Sequence, residues 1–223
     1  MMREVITYSQ LELFECIIFD LDGTLCDTIG DIKRSLSDTF LCYDYPLPDM
    51  ERLRVGPPLS VMIDELLGGN TDKAFIEKIA AEYRKYYEAS EYEISPLYYG
   101  VFELLLNLKI AAGKKLAIAT LKREASTLRL VDRRKIGKFF DKIFCCDTGG
   151  EMQSKDQMIA QIISQLNVVP NKTIIFGDSV SDITAGQKIG IKTVAVLFGY
   201  GTPEELIAAN PDYICNNYLI YSQ

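Results

Sequence analysis

The sequence predicts an α/β protein with a Rossmann-like, doubly wound parallel sheet and an inserted all-helical segment. From residue 95 onward, short apolar runs alternate with segments of helical periodicity, which is the βαβα order of a parallel sheet. One earlier apolar run lies near residue 16, and residues 27–94 show helical periodicity. The sequence therefore predicts a sheet formed by two separate stretches of chain, with helices inserted between them.

The first strand is predicted over Cys16–Phe19, a short apolar run typical of a strand buried on both faces. Helices are predicted over 27–41, 57–67 and 72–89. Two prolines begin the second helix, and Thr71 is the expected cap of the third. We place hinges near 26–27 and 93–96, where the chain enters and leaves the helical segment.

The rest of the chain alternates regularly. Strands are predicted over 116–120, 142–147, 173–176, 193–197 and 213–215, the last at an edge of the sheet. Helices are predicted over 99–112, 124–135, 155–166, 181–189 and 203–209. Ligands of doubly wound sheets bind at the carboxyl ends of the strands, so polar residues at those ends are the candidate site.

Composition excludes several classes of function. The chain has 223 residues, enough for a large α/β domain or a core with a smaller companion. Its 24 basic and 31 acidic residues give a formal charge of -7, so we expect neither a nucleic-acid nor a membrane partner. The chain has no histidine, which excludes a histidine base, a Ser–His or Cys–His nucleophile and His-ligated zinc.

The sequence also predicts a cytoplasmic location. Its six cysteines contain no CxxC pair, which favours a reduced protein. The first fifteen residues lack an apolar core of signal-peptide length, and no apolar run approaches the roughly 18 residues that a membrane helix needs.

Two acids follow the first strand. Asp20 and Asp22 lie two residues apart, so both carboxylates can point toward one site at the end of the strand. Gly23 permits a sharp turn that exposes backbone N–H groups. Acids and amides together suit a metal and a phosphate, although a DxDG string alone is also an ordinary turn.

Two further strands contribute a hydroxyl and a cation. Thr120 ends the strand over 116–120, where a β-branched residue can also be purely structural. Lys155 opens a helix, a position that the helix dipole disfavours for a cation. A lone lysine there is usually a solvated surface residue. Its ammonium is also well placed to pair with a phosphate and a carboxylate.

Asp178 and Asp182 follow the strand over 173–176. Their spacing lets a loop and the first helical turn bring both toward one cation, although either alone could be a turn or cap residue. Clustered carboxylates repel one another without a divalent ion, and a histidine-free set of oxygen ligands favours Mg²⁺ over zinc. The sequence therefore predicts Mg²⁺ as cofactor.

Four strings of this chain resemble, in order, the motifs of the haloacid dehalogenase (HAD) superfamily of phosphohydrolases. They are DLDGT at 20–24, ATLK at 119–122, SKDQMI at 154–159 and GDSVSDITAG at 177–186. The inserted helices resemble the small cap domain of that family. The resemblance implies an α/β core domain over 1–26 and 95–223 and a helical cap domain over 27–94.

The resemblance also implies roles for individual residues. Asp20 is the expected nucleophile, and Asp22 the expected acid and base. Thr120 and Lys155 are expected to hold the phosphoryl group. The expected Mg²⁺ ligands are Asp20, the backbone carbonyl of Asp22 and Asp178, with Asp182 close by. The expected substrate contacts are Gly23, Thr24, Leu121 and Arg54; Leu121 stands where the family often has a small polar residue.

The chain most resembles phosphoglycolate phosphatases and small 5′-nucleotidases, which implies a phosphomonoesterase acting on a small phosphorylated metabolite, as a monomer or homodimer. A 5′-nucleotidase, a pyrophosphatase and a sugar phosphomutase are alternatives, and the complete motif set argues against a non-catalytic phosphate-binding protein. Asp22 argues against a dehalogenase, which has a non-acidic residue there. Arg54 could bind a second anion of the substrate or be an ordinary surface residue. The loop Gly199–Tyr200–Gly201 is too short for a dinucleotide site.

Overall fold

The structure, a computed structural model, describes residues 3–219. The described chain forms two compact units. One contains the residues up to Asp27 and those from Leu97 onward, and the other is Thr28–Pro96. Within residues 3–219, no helix is both long and apolar enough to cross a membrane.

A parallel sheet forms the centre of the first unit. Within residues 3–219 its seven strands are β1 (Glu4–Val5), β2 (Cys16–Phe19), β3 (Lys115–Thr120), β4 (Lys142–Cys145), β5 (Thr173–Gly177), β6 (Lys192–Val196) and β7 (Tyr213–Cys215). They lie in the order β1-β7-β6-β5-β2-β3-β4, and every neighbouring pair is parallel. The predicted doubly wound α/β class is confirmed.

Helices flank the sheet and make up the second unit. In chain order they are α1 (Tyr8–Leu11), α2 (Ile29–Cys42), α3 (Leu59–Leu66), α4 (Lys73–Ala89), α5 (Val101–Leu106), α6 (Glu124–Arg133), α7 (Lys155–Leu166), α8 (Val180–Ile189) and α9 (Pro203–Ala208). The chain continues α5 as a π-helical turn over Asn107–Ala111. Met158, Ile159 and Ile162 of α7 pack with residues of β2 and β3 in one apolar cluster. Burial of these apolar faces holds α7 against the sheet.

The edge of the sheet differs from the prediction. Glu4–Val5 pairs with β7, so Tyr213–Cys215 has strands on both sides, and its prediction as the edge strand is wrong. A two-residue strand carries no periodicity from which it could be predicted.

Polar side chains account for two further differences from the prediction. The fourth strand ends at Cys145 and not at residue 147, since the Asp147 carboxylate accepts from the Glu124 backbone N–H at 2.8 Å. Asp72, and not Thr71, caps α4 by accepting from the backbone N–H of Phe75 at 3.0 Å.

Asp31 lies on α2, the first helix of the second unit, and its carboxylate binds the last residues of that unit. This carboxylate is fully buried. It accepts from Ser95 Oγ at 2.6 Å, from the backbone N–H of Ile94 at 3.2 Å and from Ser90 Oγ at 3.3 Å. These contacts replace the water that a buried carboxylate loses.

We expect Asp31→Ala to lower the free energy of unfolding by about 2–4 kcal/mol. The substitution leaves the hydrogen-bond donors of Ser90, Ile94 and Ser95 without their acceptor. Chemical denaturation measures this change. Asp38→Ala, on the same helix but half-buried, is the control and should change stability by less than about 0.5 kcal/mol. Equal effects of the two substitutions would contradict the assignment.

Candidate active site

The strand order brings three polar strand ends to one edge of the sheet. β2 lies between β5 and β3, with Phe19 level with Phe176 on one side and Ile118 on the other. The chain winds outward through β3 and β4 on one side of β2 and through β5, β6 and β7 on the other, so the switch point of the topology is beside β2. Asp20 follows β2, Asp178 follows β5, and Thr120 ends β3.

Three carboxylates meet there. Oxygen atoms of Asp20, Asp178 and Asp182 all lie within 4.8 Å of one another, and all three residues are buried. Burial, more than any other cause, raises the pKa of Asp20 to about 7; the Lys155 ammonium opposes this shift and the Asp182 charge adds to it. Burial and the charges of Asp20 and Asp182 raise the pKa of Asp178 to about 8.

Lys155 lies between two of these acids. Its Nζ is 2.7 Å from Asp20 Oδ1 and 2.7 Å from Asp182 Oδ1, and it donates to the Ala119 carbonyl at 2.9 Å. Burial alone lowers the pKa of this ammonium, but the carboxylates of Asp182 and Asp20 outweigh burial and raise it above its usual value. Ser154 and Gln157 cap the start of α7 around it, which fixes the origin of the lysine side chain.

The charges of this cluster fit a divalent cation. When ionised, the three carboxylates carry one negative charge each and Lys155 offsets one, which leaves two unbalanced charges. The donors are all oxygen atoms, the ligands that Mg²⁺ prefers. Asp20 and Asp178 would hold the ion. Asp182 Oδ1 forms an ion pair with Lys155 at 2.7 Å, and Asp182 Oδ2 accepts from the Ser179 backbone N–H and hydroxyl, so both of its oxygens already have partners.

The loop Gly199–Tyr200–Gly201, to which the sequence assigned no role, holds Asp178. The backbone N–H of Tyr200 donates to Asp178 Oδ2 at 2.8 Å, and that of Gly201 donates to the Asp178 carbonyl at 3.1 Å. A Cβ at Gly199 would lie 2.2 Å from Asp178 Cβ, and one at Gly23 only 2.1 Å from Asp178 Oδ2. The paired glycines after β6 were the available signal, since such spacing indicates close approach of the backbone.

Two predicted substrate contacts near Asp20 have other partners. The Thr24 hydroxyl is buried and donates to Asp178 Oδ1 at 2.8 Å. Gly23 has a φ of 78° and makes the predicted turn, but its N–H donates to the Cys26 carbonyl at 2.8 Å. The Gly23 amide is therefore paired within the turn, and exposure of other backbone N–H groups there stays a prediction. Thr24 therefore hydrogen-bonds Asp178, and Gly23 leaves room for its carboxylate.

The remaining predicted site residues have different surroundings. Leu121 is partly buried and packs against the apolar cluster of the sheet, so its side chain supplies packing. Arg54 is exposed on the second unit, and its contact with substrate stays a prediction. Thr120 is buried, and its hydroxyl oxygen accepts from the backbone N–H of Lys122 at 3.2 Å.

Asp22 has a partner to which sequence reasoning gave no role. Lys122 Nζ donates to Asp22 Oδ1 at 3.0 Å and to Oδ2 at 3.2 Å. The Lys122 side chain is only 6% exposed, so the pair lies largely out of water. Its position two residues after Thr120 was the only signal in the sequence, because nothing local relates the ends of β2 and β3.

This fold places clustered acids and a buried lysine at the switch point of a parallel α/β sheet, an arrangement that fits a metal ion. Residues 17–196 match the family model described as haloacid dehalogenase-like hydrolase. The chain belongs to this family, as its motifs indicated.

Two similar proteins carry different names. The chain is 32% identical over 190 residues to the tyrosine-protein kinase PtkA of Mycobacterium tuberculosis, covering 84% of this chain and 63% of the kinase. It thus spans less than two thirds of that relative. It is 32% identical over 186 residues to the phosphoglycolate phosphatase of Aquifex aeolicus, covering 82% of this chain and 85% of the relative.

Two solved structures have folds similar to that of this chain. A haloacid dehalogenase-like family hydrolase from Streptococcus pneumoniae superposes with a TM-score of 0.83 at 29% identity, covering 93% of this chain and 96% of that one. A putative phosphatase from Clostridium difficile gives a TM-score of 0.80 at 30% identity, covering 92% and 94%.

Mg²⁺ should stabilise the protein more at about pH 8 than at about pH 5. The pKa values of Asp20 and Asp178 are raised from 3.8 to about 7 and about 8, so between about pH 4 and pH 8 the folded state binds more protons than the unfolded state. Without metal, these two groups therefore make stability fall as pH rises through that window. Mg²⁺ binds the ionised acids and should offset the loss.

Thermal unfolding with MgCl₂ or EDTA measures this effect. At about a hundred times the dissociation constant, Mg²⁺ should add about 2.7 kcal/mol, a Tm increase of roughly 5–10 °C near pH 8. Asp178→Asn should lose most of that increase. A Mg²⁺ effect that is equal at both pH values, or unchanged by Asp178→Asn, would contradict the assignment of the site.

Proposed function

We propose that this protein is a Mg²⁺-dependent phosphomonoesterase that hydrolyses a small phosphorylated metabolite through an aspartyl-phosphate on Asp20. The observation that carries the proposal is the buried Lys155 ammonium at 2.7 Å from Asp20. An ammonium in this position favours the ionised, nucleophilic form of a carboxylate and also attracts the dianionic phosphate that the carboxylate must attack.

In the first step, an Asp20 oxygen forms a bond to phosphorus while the bond from phosphorus to the ester oxygen breaks. Asp22 gives its proton to the leaving oxygen, so an alcohol departs. In the second step, Asp22 takes a proton from water as the water oxygen attacks phosphorus. The bond from Asp20 to phosphorus then breaks, which regenerates the carboxylate and releases phosphate.

The remaining residues stabilise charge. The Thr120 hydroxyl and the Lys155 ammonium would donate to phosphoryl oxygens, whose negative charge they offset. When bound by Asp20 and Asp178, with the Asp22 carbonyl as a further ligand, Mg²⁺ would supply positive charge to the same oxygens.

Hydrolysis is favoured over phosphoryl transfer to a protein by the extent of the similarity. The chain covers 85% of the Aquifex aeolicus phosphatase but 63% of the mycobacterial kinase. We therefore propose a phosphoglycolate-like substrate, a short ester that carries a second anion. A 5′-nucleotidase or pyrophosphatase activity is the alternative, and we propose the helical residues 27–94 as the cap that selects among these substrates.

Asp20→Asn should abolish magnesium-dependent release of phosphate, with a loss of at least about 10³-fold in kcat, because an amide cannot form the covalent intermediate. Release of p-nitrophenol from p-nitrophenyl phosphate measures the rate. Mass spectrometry of acid-quenched wild type should detect one added phosphoryl group that the variant lacks. Asp132→Asn, which changes an exposed acid on α6, is the matched control. Full activity in Asp20→Asn would refute the nucleophile.

Arg54→Ala should raise KM for 2-phosphoglycolate by about tenfold, a loss of about 1.4 kcal/mol, if Arg54 binds the second anion of the substrate. KM for p-nitrophenyl phosphate, which lacks that anion, should change by less than about twofold. Arg52→Ala removes an exposed arginine two residues away and is the control. Equal changes for both esters would rule out this role for Arg54.

A further inference from the structure

We propose that Lys122 is a positioning residue that holds the acid–base carboxylate of Asp22 in place for protonation of the leaving group. This inference rests on the proposed function and assigns a role within the same site. The evidence is the double contact from Nζ to Oδ1 and Oδ2 at 3.0 and 3.2 Å. Contact with both oxygens restrains the carboxylate in rotation as well as in position.

The backbone of Lys122 is itself fixed. Its N–H donates to Thr120 Oγ1 at 3.2 Å, and its carbonyl accepts from the backbone N–H of Cys146 at 3.3 Å. The residue is thus bound to the end of β3 and to the loop that follows β4. Since a lysine side chain is flexible, this anchored backbone and the low 6% exposure of the side chain are what make it a defined support.

The charges around Asp22 explain why it needs this partner. Asp22 is close enough to Asp20 for their charges to interact. Lys155 is already shared between Asp20 and Asp182. Lys122 pairs with Asp22 instead. While Asp22 is ionised, before it collects the proton that it later donates, loss of the Lys122 ammonium would let repulsion from the cluster favour conformers that turn the carboxylate outward to water. A carboxylate turned outward cannot reach the leaving oxygen.

A role that acts through Asp22 depends on the leaving group. An alkoxide is a poor leaving group and needs a proton from Asp22 as its bond to phosphorus breaks. A p-nitrophenolate is stable as an anion and needs little help. A lysine that instead contacted the phosphoryl group, or only stabilised the fold, would affect both kinds of ester alike.

The test compares 2-phosphoglycolate, an alkyl ester, with p-nitrophenyl phosphate. Lys122→Met should lower kcat for the alkyl ester by about 10²-fold and kcat for the aryl ester by less than about fivefold. Lys122→Arg should restore much of the loss, because a guanidinium can also bind both oxygens of Asp22. Lys109→Met removes a lysine that pairs with Asp141 at 2.6 Å outside the site, and should leave both rates unchanged.

A second variant makes the test independent of folding. Asp22→Asn should show the same preference for the aryl ester, and adding Lys122→Met to it should lower kcat no further, since both changes remove one function. Equal losses on the two esters, or multiplied losses in the double variant, would overturn the role of Lys122 while leaving the phosphatase intact. Wild-type protein that hydrolyses neither ester would instead refute the proposed function, and the role of Lys122 with it.

Discussion

The ion pairs that Lys155 makes with Asp20 and Asp182 are the interaction on which the rest of the site depends. When ionised, three buried carboxylates with oxygen atoms within 4.8 Å of one another repel strongly, and one ammonium offsets only part of their charge. The fold maintains this imbalance by setting the acids at rigid strand and helix ends. The protein therefore holds these carboxylates in positions where a divalent cation would balance their remaining negative charge.

Much of this site was predictable because the geometry of a parallel sheet is simple. Once the strands are recognised, residues that follow neighbouring strands must lie along one edge. That rule predicts from the sequence that Asp20, Thr120 and Asp178 lie together, and the structure places all three at that edge. Lys155 was predictable for a different reason, since a cation at a helix start calls for a nearby negative partner.

Other features could not be predicted, because they depend on contacts between distant segments. The pairing of β1 with β7 involves only two residues of β1. The Tyr200 backbone N–H supports Asp178, and a backbone contact of this kind does not depend on the identity of the Tyr200 side chain. The partnership of Lys122 with Asp22 joins residues that are 100 positions apart. Spacing along a chain identifies which strand ends meet, but it does not identify which side chain binds which.

The most direct test of the central claim is a crystal structure of the protein grown with Mn²⁺, examined for anomalous scattering. Mn²⁺ is a hard cation that takes the same oxygen ligands as Mg²⁺. We expect a single strong peak among Asp20, Asp178 and Asp182, with Lys155 still bound to Asp20. Absence of a peak there at millimolar Mn²⁺, or a peak only at other acids, would contradict the account.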